Sequence, residues 1–513
     1  MAFALLFTTL LACLCIKRLL SYLHSTNHLR KYPSLTPLSG LTSLSYLYYR
    51  SHPFRTRHLY LKHKKHPIIR LGPKNLSFAS VQAIKDIYGH GTPCRKDDVY
   101  HLTMGSHANV LNVVDPREHA RKRRMLAHAF AARNLEGWEG KIGEKVGRLV
   151  MQLDRRCTCC LGQGGLVEME DVTVDFRLWA NLFTVDTIVD LALSEKLGML
   201  DSGRDMVAIE GVDGAKYIDS LHCGGRFVST FVGATDWFRF LKTASIWLSP
   251  YLRSQWERGQ NFGRIVCTLV DRRLRRQQCG DQLDDFFDCL MTDKSGKARC
   301  LERGEIEAET GILLDAGSDT TAIALTHILY YLIKNPCCLT KLKKEVASAI
   351  SEGTIPPYAG VKSLPYLKAC INESLRLSPP VSRGVERRTP SGGMQIAGET
   401  IPGDVAVSVP TYVVQRDTTV FPEPDEYRPE RWLEGGEKAK QMRDAFIPFS
   451  TGARGCIGRN LSMMEQQIVV ATLVHRYDFA LPSDDWELEW EEAFLLWPAK
   501  MPLKIWRRDV SVC

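Results

Sequence analysis

Ten residues, Phe449-Ser-Thr-Gly452-Ala-Arg454-Gly-Cys456-Ile-Gly458, present a single cysteine in a setting suited to metal ligation. Glycines at 452, 455 and 458 allow a tight turn and a close backbone approach to a flat ligand. The following Ile-Gly-Arg-Asn-Leu-Ser-Met-Met-Glu-Gln-Gln-Ile reads as helix, which sets the thiol near a helix N-terminus. Unpaired N–H groups and the helix dipole there favour the thiolate, the ligating form. A buried structural cysteine beside a glycine-rich turn fits the same residues, since free cysteine is readily buried. A second cluster, Ala316-Gly317-Ser318-Asp319-Thr320-Thr321, lies inside a helical pattern running from about Gly304 to Asn335 and ended by Pro336. At about 1.5 Å per residue that helix crosses much of a domain. Gly, Ser, Asp and Thr are poor choices for a helix interior, Gly by about 1 kcal/mol relative to Ala. The broken rule points either to function or to a kink with threonine hydroxyls bonded back one turn.

Charged patterns accompany these clusters. Glu373 and Arg376, at i and i+3, share one helical face and can form an ion pair. Tyr427-Arg428-Pro429-Glu430-Arg431-Trp432 follows downstream. Glu118-His119-Ala-Arg-Lys-Arg123-Arg124 and Arg387-Arg388 supply cations, although the plain reading of residues 121–124 is a solvated helix face. Cys157-Thr-Cys159-Cys160 has no histidine or further cysteine pair nearby and reads as a loop with free thiols rather than a metal site.

Together these segments resemble the motifs of the cytochromes P450, the haem-thiolate monooxygenases, in that family's order and over nearly the whole chain. The resemblance implies a cytochrome P450 fold and haem b (iron protoporphyrin IX), with Cys456 as the thiolate on the iron in a loop bounded by Phe449 and Gly458. It implies that Asp319 and Thr320 form an acid–alcohol pair delivering protons during oxygen activation while bulk water is kept out. Ala316 and Gly317 are implied to leave room for oxygen beside the iron. Glu373, Arg376 and Arg431 are implied to form a buried network that shapes the thiolate loop without doing chemistry. Arg454, His119, Arg123 and Arg387 are implied to hold the haem propionates, with His119 where tryptophan is usual and Arg388 as the alternative to Arg387. Gln415-Arg416-Asp417 departs from the more common H-R-D without touching a catalytic position. Tyr88-Gly-His-Gly91, His119-Ala-Arg-Lys-Arg-Arg124 and Leu197-Gly-Met-Leu-Asp201 are similar to the fungal benzoate para-hydroxylase group, which many enzymes of fungal secondary metabolism also resemble.

The scaffold that must position these residues reads as mainly α with small β-sheets. Ile68-Ile-Arg-Leu71, Gly72-Pro73 and Asn75-Leu-Ser-Phe-Ala79 predict a hairpin. From about 116 to 350 the periodicity is mostly helical. Met394-Gln-Ile396, Thr400-Ile401 and Val405-Ala-Val-Ser-Val409 predict strands. With no internal repeat and no linker signal inside it, 45–513 is expected to be one catalytic domain. Residues 99–112 and segments between 200 and 250 are expected to roof an apolar substrate cavity. Residues 2–16 carry no charge, Lys17 and Arg18 follow, and apolar character resumes as far as Leu23. The first run falls short of the roughly 20 residues a span needs, but 2–23 suffices with both cations snorkelling to the interface. The charges follow the apolar run and no small-x-small cleavage site appears, which argues for a retained transmembrane anchor over 1–23 rather than a signal peptide. The positive-inside rule then leaves the body in the cytosol, at the endoplasmic reticulum membrane. Residues 24–44, rich in Pro, Ser and Gly, read as a stiff linker.

Composition narrows the function classes. A chain of 513 residues with 44% hydrophobic content buries a large core and is neither disordered nor collagen-like. The net charge of +9 suits an anionic membrane surface or an acidic partner, while no nucleic-acid recognition motif is present. The 16 cysteines show no repeated spacing, which argues against a disulfide framework. The expectation is a monomeric, membrane-anchored monooxygenase that takes electrons from an NADPH-dependent reductase and O2 to a small organic substrate, such as a fungal secondary-metabolite intermediate. Alternatives are para-hydroxylation of an aromatic acid such as benzoate, a haem-thiolate isomerase or dehydratase, a non-enzymatic haem-binding protein and a helical membrane protein without cofactor. Substrate and regiochemistry are not readable from these residues.

Overall fold

Gly72 and Pro73 interrupt the first β-rich run, so Ile68–Gly72 (β1) turns back on Asn75–Phe78 (β2) as the expected antiparallel hairpin. The computed structural model describes residues 16, 19, 20, 22, 23, 29–131, 134–157, 174–209, 212–293, 295–350 and 355–508. Arg95–Lys96 (β3), Arg387–Arg388 (β4) and Ala406–Ser408 (β5) complete a five-stranded sheet in the order β1-β2-β5-β4-β3. β5 runs parallel to β2 and antiparallel to β4, and β3 pairs antiparallel with β4 so that Lys96 lies opposite Arg387. Directly opposed residues share a sheet face, so two cations are set side by side. The strands Met394–Ile396 and Glu399–Ile401 pair as their own hairpin, as do Trp490–Glu492 (β6) and Leu496–Pro498 (β7).

Most of the remainder is helical, which matches the expected class. Pro116–Leu126 (α1) starts where the Asp115 carboxylate accepts from the N–H groups of Arg117 and Glu118, with Pro116 in the first turn. Phe176–Leu193 (α2) is buried along nearly its whole length. Tyr217–Phe231 (α3) and Pro250–Gln278 (α4) pack on one another. Arg303–Lys334 (α5) is the long central helix; Asn335 leaves it, and Pro336 opens the next helix at a bend of 110°. Pro365–Leu377 (α6), Arg459–Arg476 (α7) and α2 flank α5, and one apolar cluster runs through all four.

The N-terminal part differs from expectation where it is described. Leu29 and Tyr32 join an apolar cluster with strand residues, and Ser34 bridges Arg70, so residues 29–44 lie packed on the sheet rather than forming a spacer. Most of the expected anchor, and Cys159 and Cys160, lie outside the described residues. Among the described residues no single helix is long and apolar enough to cross a membrane.

Candidate active site

The cysteine loop is pressed against the helix that ends at Tyr88. Gly452 has φ +68°, and a side chain there would sit 1.9 Å from the Tyr88 carbonyl oxygen, so only glycine fits. The N–H of Cys456 donates to the Phe449 carbonyl at 2.8 Å and closes the loop. Gly455 (φ −59°) and Gly458 (φ −83°) are not left-handed, so of the three glycines only Gly452 needs its conformational freedom. Cys456 lines a cavity of about 1220 Å³. Burial pushes its thiol up, against the N–H groups of Gly458 and Arg459 and the charges of Arg123 and Arg459. The expected helix-end effect is therefore present but outweighed. A thiol open to the cavity in this way is deprotonated when a bound metal ion supplies the compensating charge.

The irregular stretch of α5 lines the same cavity. Thr320 Oγ1 donates to the Ala316 carbonyl and Ser318 Oγ to the Leu314 carbonyl, each at 2.7 Å, so the back-bonding expected of a kink is there. A side chain at Gly317 would meet Ile188 Cγ1 at 2.5 Å. Its bare Cα thus permits close contact with α2 while it lines the cavity. The Asp319 carboxylate accepts from Arg177 Nη2 at 2.7 Å, His222 Nε2 at 3.1 Å and the Trp497 indole. Burial alone would raise this carboxyl, but His222 and Arg177 outweigh it and hold it well below the usual carboxylate range. In this arrangement Asp319 is held as an anion that joins α5 to α2, α3 and β7.

Lys96, His119, Arg123, Arg387 and Arg454 also line the cavity and bear on one another electrostatically. Among the described residues no carboxylate bonds to any of them. Arg454 donates to the carbonyls of Val113 (2.6 Å) and Val114 (3.0 Å), Arg123 to Gly455 (2.7 Å), Arg387 to Glu386 (3.1 Å) and Lys96 to Leu111. Burial and then the Arg387 charge bring Arg454 down to about 10. Burial, Arg387 and Arg454 bring Lys96 well below the usual lysine range. The same cause, burial first and then the surrounding cations, pushes His119 down to about 3. His119 is thus a neutral imidazole among these cations, with an N–H to give. Arg388, the alternative to Arg387, is engaged by Asp97 at 2.8 Å. Clustered cations without a counter-ion call for a ligand bearing more than one negative charge. A flat dianionic macrocycle with its propionates at this edge and Cys456 on its metal fits that demand.

A family model for cytochrome P450 matches residues 33–505. The chain belongs to the cytochrome P450 family. Benzoate 4-monooxygenase bphA of Aspergillus niger is 30% identical over 512 residues, covering 97% of this chain and 96% of that protein. Cytochrome P450 monooxygenase AMT3 of Alternaria alternata is 29% identical over 502 residues, 96% of each chain. Tryprostatin B 6-hydroxylase of Aspergillus fumigatus is 30% identical over 481 residues, covering 91% of this chain and 78% of that protein. This cytochrome P450 is accordingly a haem-thiolate monooxygenase, using O2, an organic substrate and a redox partner.

Glu373, Arg376 and Arg431 of this cytochrome P450 meet with side chains that are 0% exposed. Glu373 accepts from Arg376 at 2.8 and 2.9 Å, from Arg431 at 3.0 Å, from the Trp432 indole at 2.9 Å and from the Arg428 N–H at 3.0 Å. Burial opposes its charge, but the bonds and charge of Arg376 together with the Arg431 charge and the Arg428 N–H outweigh burial and keep it below the usual carboxylate range. In the basic run of α1, Arg121 and Lys122 bond to Glu305 and Arg123 turns inward. Arg124 stays exposed, so the run is a solvated face in small part only.

Sequence reasoning passed over three features. Lys96 sits in a two-residue strand with no periodicity to mark it. His222, Arg177 and Trp497 come from separate regions and acquire meaning only around Asp319. Glu465 of α7 lines the cavity, is pushed up to about 8 by burial, and bonds to Thr321, whose hydroxyl lies 2.9 Å from Ser462 Oγ. Its signal was a lone acid inside an otherwise uncharged helical run. For Lys96 we expect Lys96→Leu to release haem about tenfold faster, the scale of one charge-assisted bond, as measured by Soret decay during transfer to an apo-acceptor protein. An unchanged rate removes Lys96 from the propionate set.

Proposed function

We propose that this cytochrome P450 inserts one atom of O2 into a small, largely apolar organic molecule, with electrons from NADPH delivered by a reductase. One observation carries the reading: Cys456, the unpaired cation cluster and the Ala316–Thr320 turn line a single cavity. When bound, haem supplies the oxygen chemistry, with a thiolate ligand that favours O–O cleavage. The chain's residues do the rest. Cys456 ligates the iron as thiolate. Arg123, Arg387, Arg454 and Lys96 neutralise the propionates, and His119 donates an N–H. The Thr320 hydroxyl gives its proton to the Ala316 carbonyl, so its lone pairs remain to hold a water or accept a proton. The carboxyl of Glu465, kept neutral to about pH 8, is the proton store nearest Thr321. Asp319 holds α5 in place through Arg177 and His222.

The test is Thr320→Ala. NADPH consumption is expected to continue while product falls about tenfold and hydrogen peroxide accumulates, the scale of losing one positioned proton-handling group. Tight coupling in that variant sinks the proton-handling role. Product formation without NADPH would turn the reading toward an isomerase or dehydratase.

The benzoate relative suggests an aromatic acid as substrate. Against it, Arg177 and His222 are committed to Asp319 and Arg383 to Glu386, which leaves the region around Asp319 without a cation for a carboxylate. An endoplasmic reticulum anchor with the domain facing the cytosol is supported by an exposed apolar patch of Phe240, Trp247, Leu248 and Tyr251. Leu47, in the N-terminal helix Ser45–Arg50, packs on the same cluster as Phe238 and Leu241 beside that patch. A patch of this kind marks an interaction surface, here a lipid surface continuous with the chain's start.

A further inference from the structure

One acid of α5 has no task in the site described so far. Asp315 immediately precedes Ala316, lies one turn before Asp319 and lines the same cavity. The acids around it are matched: Asp319 by Arg177 and His222, Glu386 by Arg383, and Asp97 by Arg388. The carboxyl of Asp315 receives no hydrogen bond and meets no cation among the described residues. From α2 the charged group nearby is Arg177 and from α3 it is His222, both directed to Asp319; Tyr217 of α3 donates its hydroxyl to the Leu314 carbonyl at 3.1 Å. Burial, with the Asp319 charge one turn away, pushes Asp315 up to about 7. The cavity wall also carries apolar side chains, including Leu221, Val228, Phe262 and Leu495.

A half-buried carboxyl group in a cavity wall is unfavourable unless something pairs with it. Helix propensity gives no reason for an aspartate mid-helix, and the protein provides no partner. We propose that Asp315 is a specificity-determining residue and that the substrate is an apolar molecule carrying a cationic nitrogen, which docks on the Asp315 carboxylate. This rests on the monooxygenase reading above and adds the substrate class. Anchoring the nitrogen one residue from Ala316 fixes which end of the molecule lies against the Ala316–Thr320 turn. A carboxylic acid in the same place meets like charge.

The test uses the full-length, haem-loaded protein and three probes of similar size: benzyltrimethylammonium, its neutral carbon isostere neopentylbenzene, and benzoate. A quaternary nitrogen has no lone pair and cannot ligate iron, so its binding reports the cavity alone. Binding is read by calorimetry, and the reduced carbon monoxide spectrum is recorded separately. The wild type is expected to bind the ammonium probe at least about tenfold tighter than the hydrocarbon, with benzoate the weakest. In Asp315→Asn and Asp315→Ser the preference is expected to fall within about twofold while the thiolate band persists. Equal affinities in the wild type, or a preference that survives both substitutions, overturn the assignment. A missing thiolate band with the preference intact overturns the monooxygenase reading and leaves the cation site standing.

Discussion

In the Cys456→Ser variant the reduced, carbon monoxide-treated protein shows no thiolate-type Soret band, and turnover falls to background. Serine is close in size to cysteine, and the loop is closed by the backbone, from the 456 N–H to the Phe449 carbonyl. The fold is therefore expected to survive, with circular dichroism unchanged and stability within about 1 kcal/mol. What disappears is the soft anionic ligand. A hydroxyl in this position stays protonated, since the surroundings push even the more acidic thiol up. A retained thiolate-type band would show that another group ligates the iron and would dissolve the site as built.

The second large effect is on the fold. Glu373→Gln leaves Arg376 and Arg431 buried with a neutral amide in place of the carboxylate they share. Breaking a buried ion network from one side costs about 3–5 kcal/mol, against a total stability of about 5–15 kcal/mol for a typical domain. The variant is expected to express with little incorporated haem and to unfold at markedly lower denaturant, read from the midpoint and from the carbon monoxide band per milligram. A wild-type midpoint would mean that the shared carboxylate is dispensable to the fold.

What could be read from the sequence was local. The β1–β2 hairpin is announced by Gly72-Pro73, the central helix by its uninterrupted period, and the cysteine loop by glycines packed around one thiol. What could not be read depends on elements meeting across the chain. Arg177 and Asp319 are 142 residues apart, and nothing near Arg177 distinguishes it from any other arginine opening a helix. Asp319 consequently looked like a free acid beside Thr320, whereas packing makes it a held anion. Gly317 shows the reverse ambiguity: a missing side chain facing an oxygen site and one facing Ile188 leave the same letter in the sequence. Lys96 escaped because a two-residue strand carries no pattern, although its pairing with Arg387 settles where its charge goes. His119 stands at a motif position, but burial first and then nearby cations, three of the four from other segments, push its imidazole down.

Tyr88 holds two parts of this cytochrome P450 in mutual alignment. Its main-chain oxygen is the surface on which Gly452 rests. Its hydroxyl donates to the Val385 carbonyl and accepts from the Val409 N–H, each at 2.9 Å, and the Arg387 guanidinium lies over its ring. The sulfur mount and the sheet that carries the propionate-facing arginine therefore share a single rivet. The residues that would hold a porphyrin at its metal and at its acidic rim are thus tied together through one residue, by its main chain at the cysteine loop and by its side chain at the sheet.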